Sequence, residues 1–300
     1  MNETPDLTAL STAFGEFGGK VFRKNINLLN LSDQGILVYR NVKAPQKLPR
    51  SKVNGEPRPY RPQDDTNNAI SFDDRTLTAN QSKWDFDVDV ENLRNKYLAK
   101  WKPGAQSFAD YCISEVSKAY LSAINNKTAY LGVYNASGTG AVDLATGWGT
   151  YIANEITATN LTPVTTTAIT TMALAGSEVA KVVAQVPVWM REMGYRILCS
   201  YTTFDLYAAW YADTFKYTFT PDALGRYRIN NQNAFIQPVS WMGTSQRLIA
   251  TIDDNLAMGT DGDSIGVFPS IRRNIIEVRL VMPIGFQIAD LDALVVNSNA

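Results

Sequence analysis

A strict alternation of apolar and acidic residues stands out in the first third of the chain. A period of two places alternate side chains on opposite faces of a strand, so this segment predicts a half-buried strand with all its carboxylates on one face. The apolar members are Trp84, Phe86, Val88 and Val90, and the acidic members are Asp85, Asp87 and Asp89.

The same period returns near the end of the sequence. Ile276, Val278 and Leu280 alternate with Glu277 and Arg279, and Phe286 and Ile288 continue the pattern beyond Pro283 and Gly285. The chain is therefore predicted to end in a sheet.

Three segments have the spacing of amphipathic helices instead. The first runs over about 105–126, the second from Thr171 to about Gln185 before Pro187, and the third begins near Ser200. Thr202 and Asp205 have the Thr-x-x-acid spacing that can cap this third helix. Its apolar side carries Phe204, Tyr207, Ala208, Tyr211 and Phe215, and that of the first helix carries Phe108, Cys112, Val116, Ala119, Tyr120 and Ala123.

Shorter patterns complete the secondary structure. Residues 195–199 predict a buried strand, and residues 238–241 and 247–252 predict two more around Gly243. The Gly-, Thr-, Ala- and Asn-rich region 135–163 predicts a loop-heavy surface interrupted by short elements. Strands and helices do not alternate regularly as in βαβ units, so the predicted fold class is a mixed α+β fold.

Residues 41–66 are the stretch of the chain that is least able to pack on itself. They contain five prolines and six Lys or Arg residues with few apolar positions. Proline at this density excludes a helix or a central strand, and Asn54-Gly55 suits a tight reversal. We expect a long two-stranded arm that needs support from another chain, because an isolated hairpin is marginally stable in water. A disordered surface loop is the alternative.

The overall composition limits the classes of protein to which this chain could belong. The 300 residues carry a formal net charge of −1, so contact with nucleic acid would have to be local. The sequence has no signal-peptide pattern and no run of about 18 apolar residues, so neither secretion by a signal peptide nor a membrane span is expected.

The residue types argue against an enzyme. Histidine, the commonest general base and catalytic zinc ligand, is absent, and Cys112 and Cys199 lack the spacing of a disulfide framework or zinc knuckle. Gly138, Gly140, Gly147 and Gly149 complete no phosphate-binding motif. The acidic segments 253–255 and 261–263 could offer oxygen ligands to calcium, but Asp, Asn and Gly are also turn residues, and turns are the prediction here. No cofactor or metal site is predicted.

The candidate functional residues are instead those of a protein interface. The arm cations could bind phosphates, but with Tyr60 alone among them base stacking is poorly supported, and an acidic protein surface suits them equally well. The face of Asp85, Asp87 and Asp89 is one possible acceptor. The predicted contact residues of the arm are Lys43, Lys47, Arg50, Lys52, Asn54, Gly55, Arg58, Tyr60 and Arg61.

Taken in order, these elements resemble the major capsid protein of tailed bacteriophages, with the fold named after phage Hong Kong 97. The resemblance implies an N-terminal arm over 1–32, an E-loop over 33–78, a peripheral domain with the spine helix over 79–134, an axial domain over 135–267 and a return to the peripheral domain over 268–300. The order and spacing of the elements carry it, among them the strand at 84–90, the segment IIEVRLVMPIGFQIADLDALVV and the segment IQPVSWMGTSQRLIATIDDNLAMGTD.

This resemblance implies a shell subunit that forms hexamers and pentamers of an icosahedral head around double-stranded DNA, bound without sequence specificity. Its partners would be other copies of itself, with portal, scaffold or decoration proteins, and its location would be the virion, assembled in the bacterial cytoplasm. No charged scaffold segment precedes the arm, so we expect a scaffold to be a separate protein or already removed, and Met1 favours the first. Lys43, Lys47 and Lys52 lie where some members form an isopeptide crosslink, but no motif identifies a partner asparagine.

Two other functions remain open at this point. An encapsulin-like compartment would share the fold, usually with a shorter arm and an interior cargo site. An enzyme with a carboxylate-based site would need a concave cluster of perturbed acids, which only the region from Asp253 to Asp263 offers.

Overall fold

The computed structural model describes residues 11–13, 15, 31–54, 69–72, 74–89, 105–216, 220–229, 233–261, 266–272 and 275–299. The strands are β1 (Ile36–Tyr39), β2 (Gln46–Leu48), β3 (Ser51–Asn54), β4 (Ala69–Phe72), β5 (Arg75–Leu77), β6 (Asn80–Asp89), β7 (Tyr195–Cys199), β8 (Tyr227–Arg228), β9 (Ala234–Pro238), β10 (Ile249–Thr251), β11 (Leu256–Gly259), β12 (Gly266–Arg272), β13 (Ile275–Ile288) and β14 (Leu294–Val296). The α-helices are α1 (Ala105–Ala123), α2 (Trp148–Thr157), α3 (Met172–Gln185), α4 (Val188–Met193) and α5 (Tyr201–Phe215).

The first sheet is organised around the 14-residue strand β13. Strand β13 pairs with β12 and with β11, and β11 in turn pairs with β1. Strand β6 pairs antiparallel with residues 275–284 of β13. The predicted alternation is confirmed, because Val88 is buried on the inner face of β6 while Asp85, Asp87 and Asp89 are exposed on the outer face.

Helix α1 packs on the inner face of this sheet. Tyr120 is central to the contact, since its ring lies 5.7 Å from that of Trp84 and its hydroxyl shares a hydrogen bond with Ser82. Burial raises the pKa of Tyr120 to about 12, although the bond to Ser82 opposes the shift. The predicted apolar face is displaced by about one residue, because Ile113 is buried whereas Ala119 is exposed.

The second sheet has the strand order β14-β10-β7-β9-β8 and is covered on both faces. Alternate residues of β7 point to opposite sides, so Ile197 belongs to the apolar cluster of α3 and α5 while Leu198 belongs to the cluster that contains Ile152 of α2. Helices α3 and α5 approach closely at Gly176, where a Cβ atom would lie only 2.2 Å from Cε2 of Trp210. The C-terminal segment contributes to both sheets, since β13 lies in the first and β14 in the second.

Several local predictions were wrong. Helix α2, with 10 residues, is longer than the short elements predicted for the loop-heavy region 135–163, and residues 240–242 form a 3-10 turn that buries Trp241 instead of a strand. Ser200, not Thr202, caps α5 by accepting a hydrogen bond from the backbone N–H of Thr203. The reversal of the arm does not fall at Asn54, because this residue is in β3 and pairs with Ala69.

Candidate assembly surfaces

The arm is a two-stranded extension with one continuous register. Strand β2 pairs antiparallel with β5, and β3 pairs antiparallel with β4. Both ladders keep the same register, so they are parts of one hairpin interrupted around Pro49, which has no backbone N–H to donate. The predicted extended arm is therefore confirmed for the strands that the structure describes.

The base of the arm is packed against its own chain. We call residues 42–50 and 74–79 the arm root and residues 51–72 the distal arm. Leu48 and Leu77 of the root are buried with Val42 and Ala257 in a small apolar cluster. The backbone N–H of Val42 also donates to the carbonyl of Thr260. Hydrophobic burial thus fixes the place where the arm leaves the body.

Ion pairs reinforce this attachment. The Arg50 guanidinium contacts the carboxylates of both Asp290 and Asp292, with 3.0 Å between Nε and Oδ1 of Asp290. On the other strand, Arg75 lies 2.5 Å from Glu155 of α2. Burial raises the pKa of Glu155, but hydrogen bonds from Asn160 and Arg75 outweigh that effect and hold the pKa below its usual value. These charges are therefore engaged within one chain.

The predicted contact residues of the arm separate into three groups. Arg50 is half-buried at the root, while the exposed Lys47 lies 3.1 Å from Asp74 across the hairpin. Lys43 is exposed in the root, and Lys52 and Asn54 lie in β3. The remaining predicted residues, Gly55, Arg58, Tyr60 and Arg61, lie outside the described residues.

This placement changes the charge expected at the end of the arm. With Lys47 and Arg50 engaged at the root, the distal arm retains three basic and three acidic residues in its sequence. Its formal charge is therefore balanced. The basic members are Lys52, Arg58 and Arg61, and the acidic members are Glu56, Asp64 and Asp65.

The predicted acidic acceptor face also carries basic groups of the same chain. Arg279 of β13 stands directly opposite Asp85 and donates a 2.6 Å hydrogen bond to its carboxylate, and Lys83 lies 3.3 Å away. The bond from Arg279 is the main reason that the pKa of Asp85 is lowered, and Lys83 adds to it. Asp87 faces Glu277, an acidic pair that costs some sheet stability. The predicted attraction between this face and the arm remains a prediction.

A buried arginine connects the second sheet to the segment that leads into the arm. The Arg196 side chain on β7 is only 4% exposed and lies 2.6 Å from Asp253. It also donates to the Gln237 side chain and to the backbone carbonyl of Asp33. Gly35 fits beside it because its φ of +72° and lack of a Cβ atom allow the close approach.

Sequence reasoning missed this junction. Arg196 looked like one member of a buried strand, and Asp253 like a turn residue, and no local pattern connects them across 57 positions. A charged residue inside the apolar run 195–199 was the available signal, because buried charges need partners.

The described residues contain no candidate metal centre. They include no group of three or more His, Cys, Asp or Glu side chains placed to hold a metal ion. Asp143 accepts a hydrogen bond from the backbone of Gly140 in an ordinary turn. Burial raises the pKa of the Cys112 thiol to about 11, which keeps it protonated. Within the described part of the chain, no helix combines the length and apolar character needed to cross a bilayer.

The two sheets, the long helix and the paired arm together define the fold of tailed-phage capsid proteins. A chain of the satellite phage P4 procapsid with its size determination protein has a TM-score of 0.57 at 14% identity, covering 92% of this chain and 89% of that chain. The capsid of Myoviridae phage XM1 gives 0.53 at 13% identity, with 90% and 91% covered. The holo-SrpI encapsulin complex of Synechococcus elongatus PCC 7942 gives 0.50 at 10% identity, with 89% and 86% covered.

Sequence comparison adds nothing to this likeness. No protein-family model matches the chain, and no curated protein matches it significantly. At these identities the structural similarity establishes the fold, which phage capsids and an encapsulin share. The predicted α+β fold of the Hong Kong 97 type is thereby confirmed.

Proposed function

We propose that this chain is the major capsid protein of a tailed bacteriophage, which assembles through hexamers and pentamers into an icosahedral head around double-stranded DNA. In this proposal the arm is the E-loop, α1 is the spine helix, the first sheet belongs to the peripheral domain and the second sheet to the axial domain. Strand β14 is assigned to the axial domain because it pairs with β10.

The observation that carries the proposal is the extent of the fold likeness. The aligned region covers about nine-tenths of this chain and of the phage capsid chains, so the likeness extends over most of the chain and is not limited to one sheet. A subunit that matched only in its sheets would not support the same function, because sheets of this kind occur in many unrelated proteins.

The distal arm supports self-association independently. Its ladder consists of β3 and β4 alone, without a third strand among the described residues, and Ile70 is 59% exposed. Two strands without further packing are marginally stable in water. A neighbouring copy would supply the missing contacts. The near-neutral net charge also suits a wall that must not bind its packaged DNA tightly.

Expression of the chain alone, followed by electron microscopy and sedimentation, tests the proposal. We expect closed shells or ring-shaped capsomers. A chain that stays monomeric over the full range of accessible concentration, with and without candidate scaffold proteins from its own genome, would contradict it.

An encapsulin-like compartment is the second candidate, favoured by the likeness to the SrpI encapsulin complex. The contents of native particles distinguish the two. Nuclease-resistant double-stranded DNA inside particles that carry a portal supports the phage head, whereas an enclosed cargo protein without packaged DNA supports the compartment.

A carboxylate-based enzyme is the least supported alternative. Its only candidate region begins at Asp253, and that carboxylate is engaged by Arg196 in a junction between sheets. The sequence also has no histidine.

A further inference from the structure

One loop presents an unusual number of apolar side chains to solvent. Residues 131–143, called here the apolar loop, follow α1 and carry Leu131, Val133, Tyr134 and Val142, which are between 40% and 64% exposed. Its single charged residue is Asp143, whose carboxylate accepts a hydrogen bond from Gly140. Monomeric proteins rarely expose apolar groups in such clusters, so this surface is suited to an interface.

The loop is also cross-linked by backbone hydrogen bonds. The backbone N–H of Val133 donates to Val142 and that of Asn135 to Asp143, while Gly147 donates to Gly132 at the base. Ala129 and Ala145 anchor the same base in the first apolar cluster. A surface held by such bonds should lose less conformational entropy on binding a partner than a loop without them.

A complementary surface lies between α3 and α5. This helix groove has a volume of about 350 Å³ and is lined by small residues such as Ala180 and Ala184 and by the rings of Trp210, Tyr211 and Phe215. Arg191 also lines it, but its guanidinium donates to the carbonyls of Val183, Ala184 and Val186 at the end of α3. The groove is therefore mainly apolar and its one charged group is already hydrogen-bonded.

The two surfaces are formed by different residues of the chain. The groove is built on the cluster that contains Ile197, whereas the apolar loop is anchored in the cluster that contains Leu198. The loop of one chain and its own groove are therefore formed by separate parts of the chain. A head-to-tail contact between identical chains joins two different surfaces, and a mainly apolar protrusion and a mainly apolar groove are two such surfaces.

We propose that the apolar loop of one copy docks in the helix groove of the next copy, and that repetition of this contact closes the capsomer ring. This inference rests on the proposed function, which requires ring-shaped capsomers, and it adds the two surfaces that would join them. Aromatic side chains in a water-excluding groove are the usual source of binding energy in such contacts.

Thiol crosslinking tests the contact in the assembled protein. The chain with Val133→Cys and Ala180→Cys together is treated with a short bifunctional maleimide and resolved on a denaturing gel. We expect a ladder of covalent multimers up to the ring size, because each copy would be joined to two neighbours. Each single variant should remain monomeric. The unaltered chain is a control for Cys112 and Cys199, which burial makes poorly reactive.

A second double-cysteine variant shows whether the ladder of covalent multimers is specific for the proposed contact. Leu224 is 43% exposed and lies outside both surfaces, so Leu224→Cys with Ala180→Cys should give no ladder. Dimers from a single variant, or a ladder from the Leu224 pair that equals that of the Val133 pair, would overturn the head-to-tail contact. Shells that form without any ladder would overturn the contact alone, while a chain that never assembles would overturn the proposed function along with it.

Introduction of charged residues at the two surfaces provides a second test of the contact. Val133→Asp should keep the circular dichroism of the parent but lose assembled material in sedimentation, and adding Ala180→Lys should restore it. Assembly of the Val133→Asp chain at the parental level would contradict the proposal.

Discussion

The arm root and the distal arm are parts of one hairpin, yet their supports differ. The root is packed around Leu77, which is fully buried, and is joined by Arg50 and Arg75 to acidic residues of its own chain. The distal arm has the two-stranded ladder of β3 and β4 and an exposed Ile70. The contrast supports the proposal that one subunit positions the arm and a neighbouring copy stabilises its end.

The largest effect on a single subunit is expected from the apolar cluster of the root. Leu77→Ala removes a fully buried side chain and should lower the free energy of unfolding by about 2 to 5 kcal/mol. Ile70→Ala, in the distal arm, should change it by less than about 0.5 kcal/mol in the unassembled chain. Urea unfolding of the two variants measures the difference. Equal destabilisation would mean that the distal arm is also supported by its own chain.

A smaller effect is expected from the ion pairs of the root. Arg50→Gln should cost about 1 kcal/mol, because its partners Asp290 and Asp292 are partly exposed and water screens the attraction. Added salt should reduce the difference from the parent chain. Lys47→Gln is the matched control, since Lys47 pairs with Asp74 on the surface and its loss should cost less than about 0.5 kcal/mol. A larger cost for Lys47 than for Arg50 would contradict the assignment of Arg50 as an anchor.

The smallest effect concerns the outer face of the first sheet. Arg279 lowers the pKa of Asp85 below its usual value, so their interaction contributes stability above that value and loses it as the pH falls through the lowered pKa. The melting temperature of Asp85→Asn should therefore fall less steeply than that of the parent between about pH 5 and about pH 2. Parallel melting curves for the two chains would show that the pair contributes nothing measurable.

The sequence was most informative where one face of an element is buried. The alternation of Trp84 and Phe86 with acidic neighbours predicted β6, and the terminal alternation predicted β13, because a half-buried strand imposes its period on the residues. Proline density likewise predicted an extended arm. In each case a local physical constraint leaves a local pattern.

The errors have a different origin. Helix α2 was missed because Gly and Thr around it indicate loop, although Trp148, Ile152 and Ile156 have helical spacing and pack in the core. Arg50 and its partner Asp292 are 242 positions apart, so the intrachain pairing that engages the arm charges is a tertiary property. The predicted attraction between a basic arm and an acidic face therefore involves fewer arm cations than the sequence suggested.

A shortened arm tests the central claim, that the distal arm serves assembly and not the fold of its own chain. Because Asn54 pairs with Ala69, replacement of residues 55–68 by Asn-Gly would close the hairpin with a two-residue turn and preserve both ladders. Electron microscopy and sedimentation of this variant, beside its melting temperature, give the measurement. We predict a melting temperature close to that of the unassembled parent, with loss of shells. Normal shells from the shortened chain would contradict the account.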